Sequence, residues 1–234
     1  MTEQVIFGQK LRNNFLANQE IQDSLTLDIA VAYFQLKMPD SCRLNLKKIS
    51  ANPKFPERKN ELYFSALIVS YDYETAEKKI DILNPTPFGN DARISLPILK
   101  REQIKADTSE KNISPVMLDF KNRYINYPRY SPFLAGTFSA ILPGAGKWYI
   151  GYKRQALTSF IANVLFGAQA AEAYIKSGAS SFRFIASASL FGIFYSGNIW
   201  GSVLMAKKKK RDHLKELDYE ILDYYHTEFS KLSR

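Results

Sequence analysis

Cysteine is almost missing from this 234-residue chain. Cys42 stands alone, so no intrachain disulfide can form and the redox compartment stays open. Histidine occurs only as His213 and His226, both in a charged C-terminal stretch. Their spacing puts them on nearly opposite faces of a helix, as expected of solvated surface residues. Carboxylates such as Asp218, Glu220 and Asp223 are plentiful there, yet density alone brings such groups together, and no nucleophile and base can be picked out. No catalytic residue, metal site or cofactor is expected, and the chain does not read as an enzyme.

The more telling absence is regional. A charged fraction of 24% and a mean hydropathy of -0.25 describe an average soluble protein. Along the chain, however, no charge falls between Gln155 and Ala171 or between Phe184 and Ala206. A helix needs about 20 mostly apolar residues to cross a bilayer core. The two segments therefore read as a transmembrane hairpin, the first completed by Glu172, Ala173, Tyr174 and Ile175, where a carboxylate close to the helix end reaches the headgroup zone. The competing reading, two buried helices of a soluble core, fits poorly because core helices are seldom this long without charge.

The net charge of +9 suggests nucleic acid at first sight. But Lys207, Lys208, Lys209, Lys210 and Arg211 sit together directly after the second apolar segment, where topology and attraction to anionic lipid are the simpler cause. No nucleic-acid motif or aromatic-and-basic platform appears, so no nucleic-acid partner is expected. Nor is Gly144-Ala145-Gly146-Lys147 a phosphate-binding loop, since Ile141 stands where that motif needs glycine and Trp148 where it needs Ser or Thr.

The N-terminal half repeats itself. Ala32 recurs as Ala66, Cys42 as Ala76, Leu46 as Ile80, Ile49 as Leu83 and Pro53 as Pro87, each pair 34 residues apart. Leu25, Ile29, Ala32, Tyr33 and Leu36 form an apolar helical stripe, Met38-Pro39-Asp40 a turn, and Cys42, Leu46 and Ile49 face back from a second helix. Leu62, Ala66, Leu67 and Val69, a turn at 71–74, and Ala76, Ile80 and Leu83 repeat the unit. Over residues 25 to 87 this resembles the tetratricopeptide repeat family, which implies stacked helical hairpins and a concave protein-binding face. The positions at which many of that family grip a C-terminal carboxylate hold Leu27 and Val31, so a chaperone-type clamp is not expected.

Two hairpins are few for such an array. Shifting the register back puts Gly8 under Cys42 and Phe15 under Ile49, so residues 4 to 19 read as the second helix of a preceding hairpin, either a cap or the remnant of a longer natural chain. Residues 92 to 127 read as a degenerate third hairpin, kinked at Pro97.

Phe133 to Leu142 is apolar but too short to span, and Pro143-Gly144 interrupts it, so it reads as a shallow or re-entrant helix. The pattern Pro143-Gly144-x-Gly146-x-x-Tyr149-x-Gly151, with a later Gly197-Asn198-Ile199-x-Gly201, is similar to a family of bacterial membrane proteins frequent in Bacteroidota-like bacteria. Its members join a tetratricopeptide-type N-terminus to this module. Small residues four apart, Gly167 and Ala171, Gly192 and Ser196, Gly197 and Gly201, suit close helix packing in lipid. Asn163, Glu172 and Asn198 are the polar residues of the apolar region and the default functional candidates. The plainer reading has the two asparagines hydrogen-bonding across the hairpin and Glu172 meeting water.

The expectation is an all-α chain in three parts. Residues 1–127 form a helical repeat region that binds a protein partner, 128–206 a membrane domain in the bilayer through 133–206, and 207–234 a basic amphipathic C-terminal helix. The function expected is that of a membrane-anchored adaptor or scaffold, with homo-oligomerisation allowed. The alternative is a small oligomeric channel or transport component. The resemblance implies a bacterial membrane, the inner one, in which the charge pattern predicts cytoplasmic repeats, or periplasmic repeats if a signal peptide preceded Met1.

Overall fold

The computed structural model describes residues 2–14, 18–50, 55–104 and 112–231, and among these the chain is all-α with no strand. The helices are α1 (Thr2–Asn14), α2 (Gln19–Gln35), α3 (Pro39–Leu46), α4 (Pro56–Val69), α5 (Tyr73–Lys79), α6 (Pro87–Lys100), α7 (Pro115–Ile125), α8 (Pro132–Ile141), α9 (Ala145–Tyr149), α10 (Lys153–Ser177) and α11 (Phe182–Lys231). Proline opens α3, α4, α6, α7 and α8, where its missing N–H is no loss and its fixed φ suits the first helical turn. Side chains of Asn18, Asp72, Thr86, Ser114 and Ser131 cap the starts of α2, α5, α6, α7 and α8.

The chain forms two compact units, Met1–Asn126 with Glu216–Arg234, and Tyr127–Lys215. This differs from the division expected at residue 207. The second apolar segment and the C-terminal amphipathic helix are one continuous helix, α11, because nothing between Ala206 and Lys231 breaks it. Its residues up to Lys215 belong to the second unit and those from Glu216 to the first.

In the first unit each helix packs on the next from α1 to α7, and α4 also meets α2 and α6. The 34-residue period is visible in the backbone. After α2, the N–H groups of Leu36, Lys37 and Met38 return to the carbonyls of Ala32, Phe34 and Tyr33. After α4, Ser70, Tyr71 and Asp72 return to Ala66, Ile68 and Leu67 in the same pattern. Lys37 and Tyr71 both take left-handed backbone, φ 58° and 60°, which lets each chain reverse within three residues. Of the paired positions, Ala66, Cys42 and Ala76 are completely buried and Leu46, Ile49, Leu83 and Ala32 nearly so. Leu27 and Val31 are core residues too. Pro53 and Phe15 lie outside the described residues.

Gly8 sits where α1 crosses α2: a Cβ there would come within 2.9 Å of the Ile29 side chain. Pro97 lies inside α6, and residues 105–111 within the expected third hairpin fall outside the described residues.

The largest core of this unit joins Phe64, Leu67, Ala76, Ile94, Ile98 and Met117 to Leu217, Ile221 and Tyr225 of α11. Tyr225 is fully buried, its hydroxyl 2.6 Å from Ser95 Oγ and its ring edge-on to Phe88. Tyr224 donates to the buried Asp91 carboxylate, and Arg101 and Arg123 form two-pronged bonds to Asp218 and Glu220. These ion pairs are partly exposed and contribute at most about 1 kcal/mol each, so burial carries the docking. His226 is not a free surface residue as expected but stacks on Phe34 at 5.3 Å.

Ala66 and Ala76 test the repeat register. Ala66→Leu and Ala76→Leu are each expected to destabilise the first unit by about 1–3 kcal/mol through overpacking. Denaturant unfolding of the full chain checks this, and unchanged midpoints for both variants would refute the packing.

Candidate functional site

The second unit is a helical hairpin, α10 and α11, with the short helices α8 and α9 set against its open end. Phe166 stacks on Phe194 at 4.4 Å, Gly167 faces Phe191, and Tyr174 meets Phe184 nearer the turn. Against that pair, Tyr195 donates to the Ala140 carbonyl, Ser139 shares a 2.7 Å hydrogen bond with Ser202, and Lys209 donates to the Ile150 carbonyl.

The glycines of the sequence motif are explained by this docking. A Cβ on Gly146 would lie 1.8 Å from the Ala135 carbonyl oxygen and 2.5 Å from Ser139 Oγ. Gly144 has φ +91° and would place a Cβ 2.3 Å from the Ala156 carbonyl oxygen. Gly151, also at φ +91°, lies beside Lys209, whose ammonium sits 4.7 Å from the Tyr130 ring centre and 5.3 Å from that of Tyr152. Tyr149 accepts from the Ser131 N–H and meets Tyr130 and Phe138 edge-on, just past the turn at Pro143. His213 stacks on Tyr127 at 4.0 Å, so neither histidine is the freely solvated group its charged neighbours suggested. Sequence spacing alone does not reveal such aromatic partners.

The small residues divide differently from the expected pattern. Gly167 packs against Phe191, but Ala171, Gly192, Ser196 and Gly197 are exposed, and a Cβ on Gly192 or Gly197 would meet nothing within 4 Å. The buried strips are instead Ala156, Asn163 and Ala170 on α10, seven residues apart, and Asn198, Ser202 and Ala206 on α11, four apart. Gly201 faces the stem of Lys147, with Cε 4.0 Å from the place of its Cβ.

The three polar candidates are not brought together. Glu172 stands near the turn, 2.8 Å from Lys176 and 3.6 Å from Arg183. Asn163 and Asn198 are inside, 3% and 4% exposed. From the Phe166–Phe194 stack, three residues back along α10 and four on along α11 reach these two asparagines, so antiparallel register sets them at one level. The cross-hairpin hydrogen bond expected between them is not made. Asn163 Nδ2 donates to the Ser159 carbonyl, while Asn163 Oδ1 and both amide atoms of Asn198 have no partner. Ser159 also receives a bond from Lys147.

Among the described residues no group of histidine, cysteine and carboxylate side chains is placed to hold a metal. No described helix is long and apolar enough to cross a membrane. The hairpin helices have the length, but serines, glycines, glutamines and the two asparagines dilute their apolar character. No protein family, curated protein or solved structure matches the chain.

Proposed function

We propose that this chain is a membrane-attached helical-repeat scaffold, whose first unit offers a tetratricopeptide-like surface to a protein partner and whose hairpin unit associates with a bacterial membrane. The observation that carries the reading is the outer surface of the hairpin. Leu157, Ile161, Leu165, Ile193 and Trp200 stand between 49% and 68% exposed, on segments without charge. So much exposed apolar surface needs a cover in water. Lipid supplies one even where small polar residues lower the average apolarity, provided the polar groups face inward. Asn163, Asn198, Ser139 and Ser202 are all buried. Exposed Phe133, Ile141 and Trp148 extend the apolar surface to α8 and α9.

Lys147, Lys153 and Arg154 precede the hairpin and Lys207 to Arg211 follow its apolar part, against Lys176 and Arg183 at the turn. For a hairpin that spans the bilayer, the positive-inside rule would put both ends in the cytoplasm. Carbonate-washed membranes of expressing cells should retain the full chain. In intact cells a membrane-impermeant thiol reagent should label a cysteine placed at Ser180 and spare one placed at Lys208. Release by carbonate would reject membrane attachment, and the reverse labelling would reject the orientation. Wild-type Cys42 should stay silent, because burial leaves it fully covered and pushes its thiol up to about 12.

A second reading, a small oligomeric transport component, is favoured by the unpaired amides of Asn163 and Asn198. Solute flux through proteoliposomes that disappears in Asn198→Leu would support it over the scaffold.

A further inference from the structure

The 34-residue period carries a side-chain latch as well as a turn. In the first hairpin Ser50, just past α3, donates its N–H and its hydroxyl to the Asp23 carboxylate of α2. One period later Asn84 donates to the Glu57 carboxylate of α4 at 2.6 Å. A cation from the following helix reads the same corner in both hairpins: Lys59 donates to the Ile49 and Ser50 carbonyls, and Arg93 to the Leu83 carbonyl.

The two corners differ in what fills them. In the first, Lys59 reaches in beside Asp23, Leu27 lines the space, and only about 10 Å³ is left. In the second, Arg93 gives its other arm to the Gly89 carbonyl of its own helix and does not line the space. A cavity of about 240 Å³ remains, with Glu57, Asn60, Glu61 and Asn84 around it and Pro56 and Ile82 among its apolar walls. Glu61 stands one period after Leu27. Its half-buried carboxylate has no hydrogen bond or ion pair among the described residues, and burial, with Glu57 one turn away, holds it above the ordinary glutamate value. The corner that a lysine closes in the first hairpin is thus open in the second, and richer by one carboxylate.

We infer that this cavity binds a lysine or arginine side chain presented by the protein partner of the first unit, which does between chains what Lys59 does within the first hairpin. The inference rests on the scaffold reading, which supplies that partner. The two carboxylates balance the incoming charge, the carboxamide oxygens of Asn60 and Asn84 offer further acceptors, and Pro56 and Ile82 flank the alkyl stem. A bare divalent ion would match the carboxylates and leave the apolar walls unused. With a net charge of +9 the chain as a whole repels a basic segment, so the attraction is local to this corner.

The test uses the full chain in neutral detergent with labelled isoleucine δ1 methyl groups, so that the Ile82 signal, assigned through Ile82→Val, reports on the cavity. The probes are blocked tripeptides with a central lysine or arginine between glycines, the same peptide with central norleucine, and calcium chloride. The two basic peptides should shift the Ile82 signal saturably, and the norleucine peptide should not. Glu61→Leu, which installs the residue of the first hairpin, and Glu57→Gln should each weaken binding by about fivefold or more. Glu74→Gln, at an exposed carboxylate on α5, should change it by less than about twofold. Glu61→Gln repeats the test with a near-isosteric side chain, and circular dichroism separates lost binding from lost folding. No saturable shift with either basic peptide, equal shifts with norleucine, tighter binding of calcium, or unaltered binding in both Glu61 variants overturns the inference. A normal titration by a chain that carbonate releases from membranes would reject membrane attachment and leave the cavity assigned. Lost titration by a chain that membranes retain would do the reverse.

Discussion

Gly146→Ala is expected to abolish the native packing of the second unit, at a cost of about 3 kcal/mol or more. The added methyl would sit 1.8 Å from the Ala135 carbonyl oxygen, and that atom is backbone, unable to rotate away. Relief requires α9 to leave α8, which breaks the bond from the Gly146 N–H to Ser139 Oγ and disturbs the 2.7 Å Ser139–Ser202 bond. Gly144→Ala should behave similarly, combining left-handed backbone with a 2.3 Å approach to the Ala156 carbonyl, for a total of about 2–5 kcal/mol. The control is the same change on the open face of α11. Gly192→Ala and Gly197→Ala meet nothing within 4 Å and should raise helix stability by up to about 1 kcal/mol. Melting of the full chain in detergent, followed by circular dichroism and protease resistance, reads all four. Equal effects across the set would mean that the motif glycines do not hold α8 and α9 in place.

Tyr225→Ala should destabilise the first unit by about 3–5 kcal/mol, comparable to deleting a buried phenylalanine. The ring is wholly covered and touches Phe64, Phe88 and Tyr224, so its loss leaves a cavity in the largest core of the unit. Tyr225→Phe keeps the ring and loses only the bond to Ser95, whose hydroxyl still donates to the Ala92 carbonyl, so about 1 kcal/mol is expected. Tyr224→Phe should cost more than Tyr225→Phe, because it removes a bond to the buried Asp91 carboxylate. A chain ended at Lys215 should lose cooperative unfolding of residues 1–126 altogether. If such a truncated chain unfolded with the wild-type midpoint, the docking of α11 would contribute nothing to this unit.

Helix placement was legible where local chemistry is self-contained. Proline at first turns, capping Asn, Asp, Ser and Thr, and the 34-residue spacing all act within a few residues, and α3 and α5 begin at Pro39 and Tyr73, one period apart. The role of α11 was not legible in the same way. Its amphipathic stripe, Leu217, Ile221 and Tyr225, fits a membrane surface as well as a helical core, and periodicity is blind to what covers a face. For the same reason small residues four apart were assigned to packing on α11 at Gly192, Ser196 and Gly197. The strip that is buried carries Asn198 and Ser202 instead; the Ser202 hydroxyl donates to the Asn198 carbonyl of its own helix and bonds Ser139, while the Asn198 amide has no partner. Asn163 and Asn198 stood out in the sequence as polar residues in apolar surroundings. Lys147 did not, since its burial depends on the turn at Gly144 and the approach of Gly201.

Because Leu217, Ile221 and Tyr225 follow the whole hairpin in the chain, the ribosome completes that hairpin before it supplies the last pieces of the first unit's core. At about 5–20 residues per second, the roughly one hundred residues between Asn126 and Tyr225 take about 5–20 s to make. Through that interval Phe64, Phe88 and Ser95 stand without their partner. The early part of the chain is thus born unfinished, and its exposed apolar surface during synthesis is a time window in which a chaperone, or a binding partner already present, meets a form that the mature fold no longer shows.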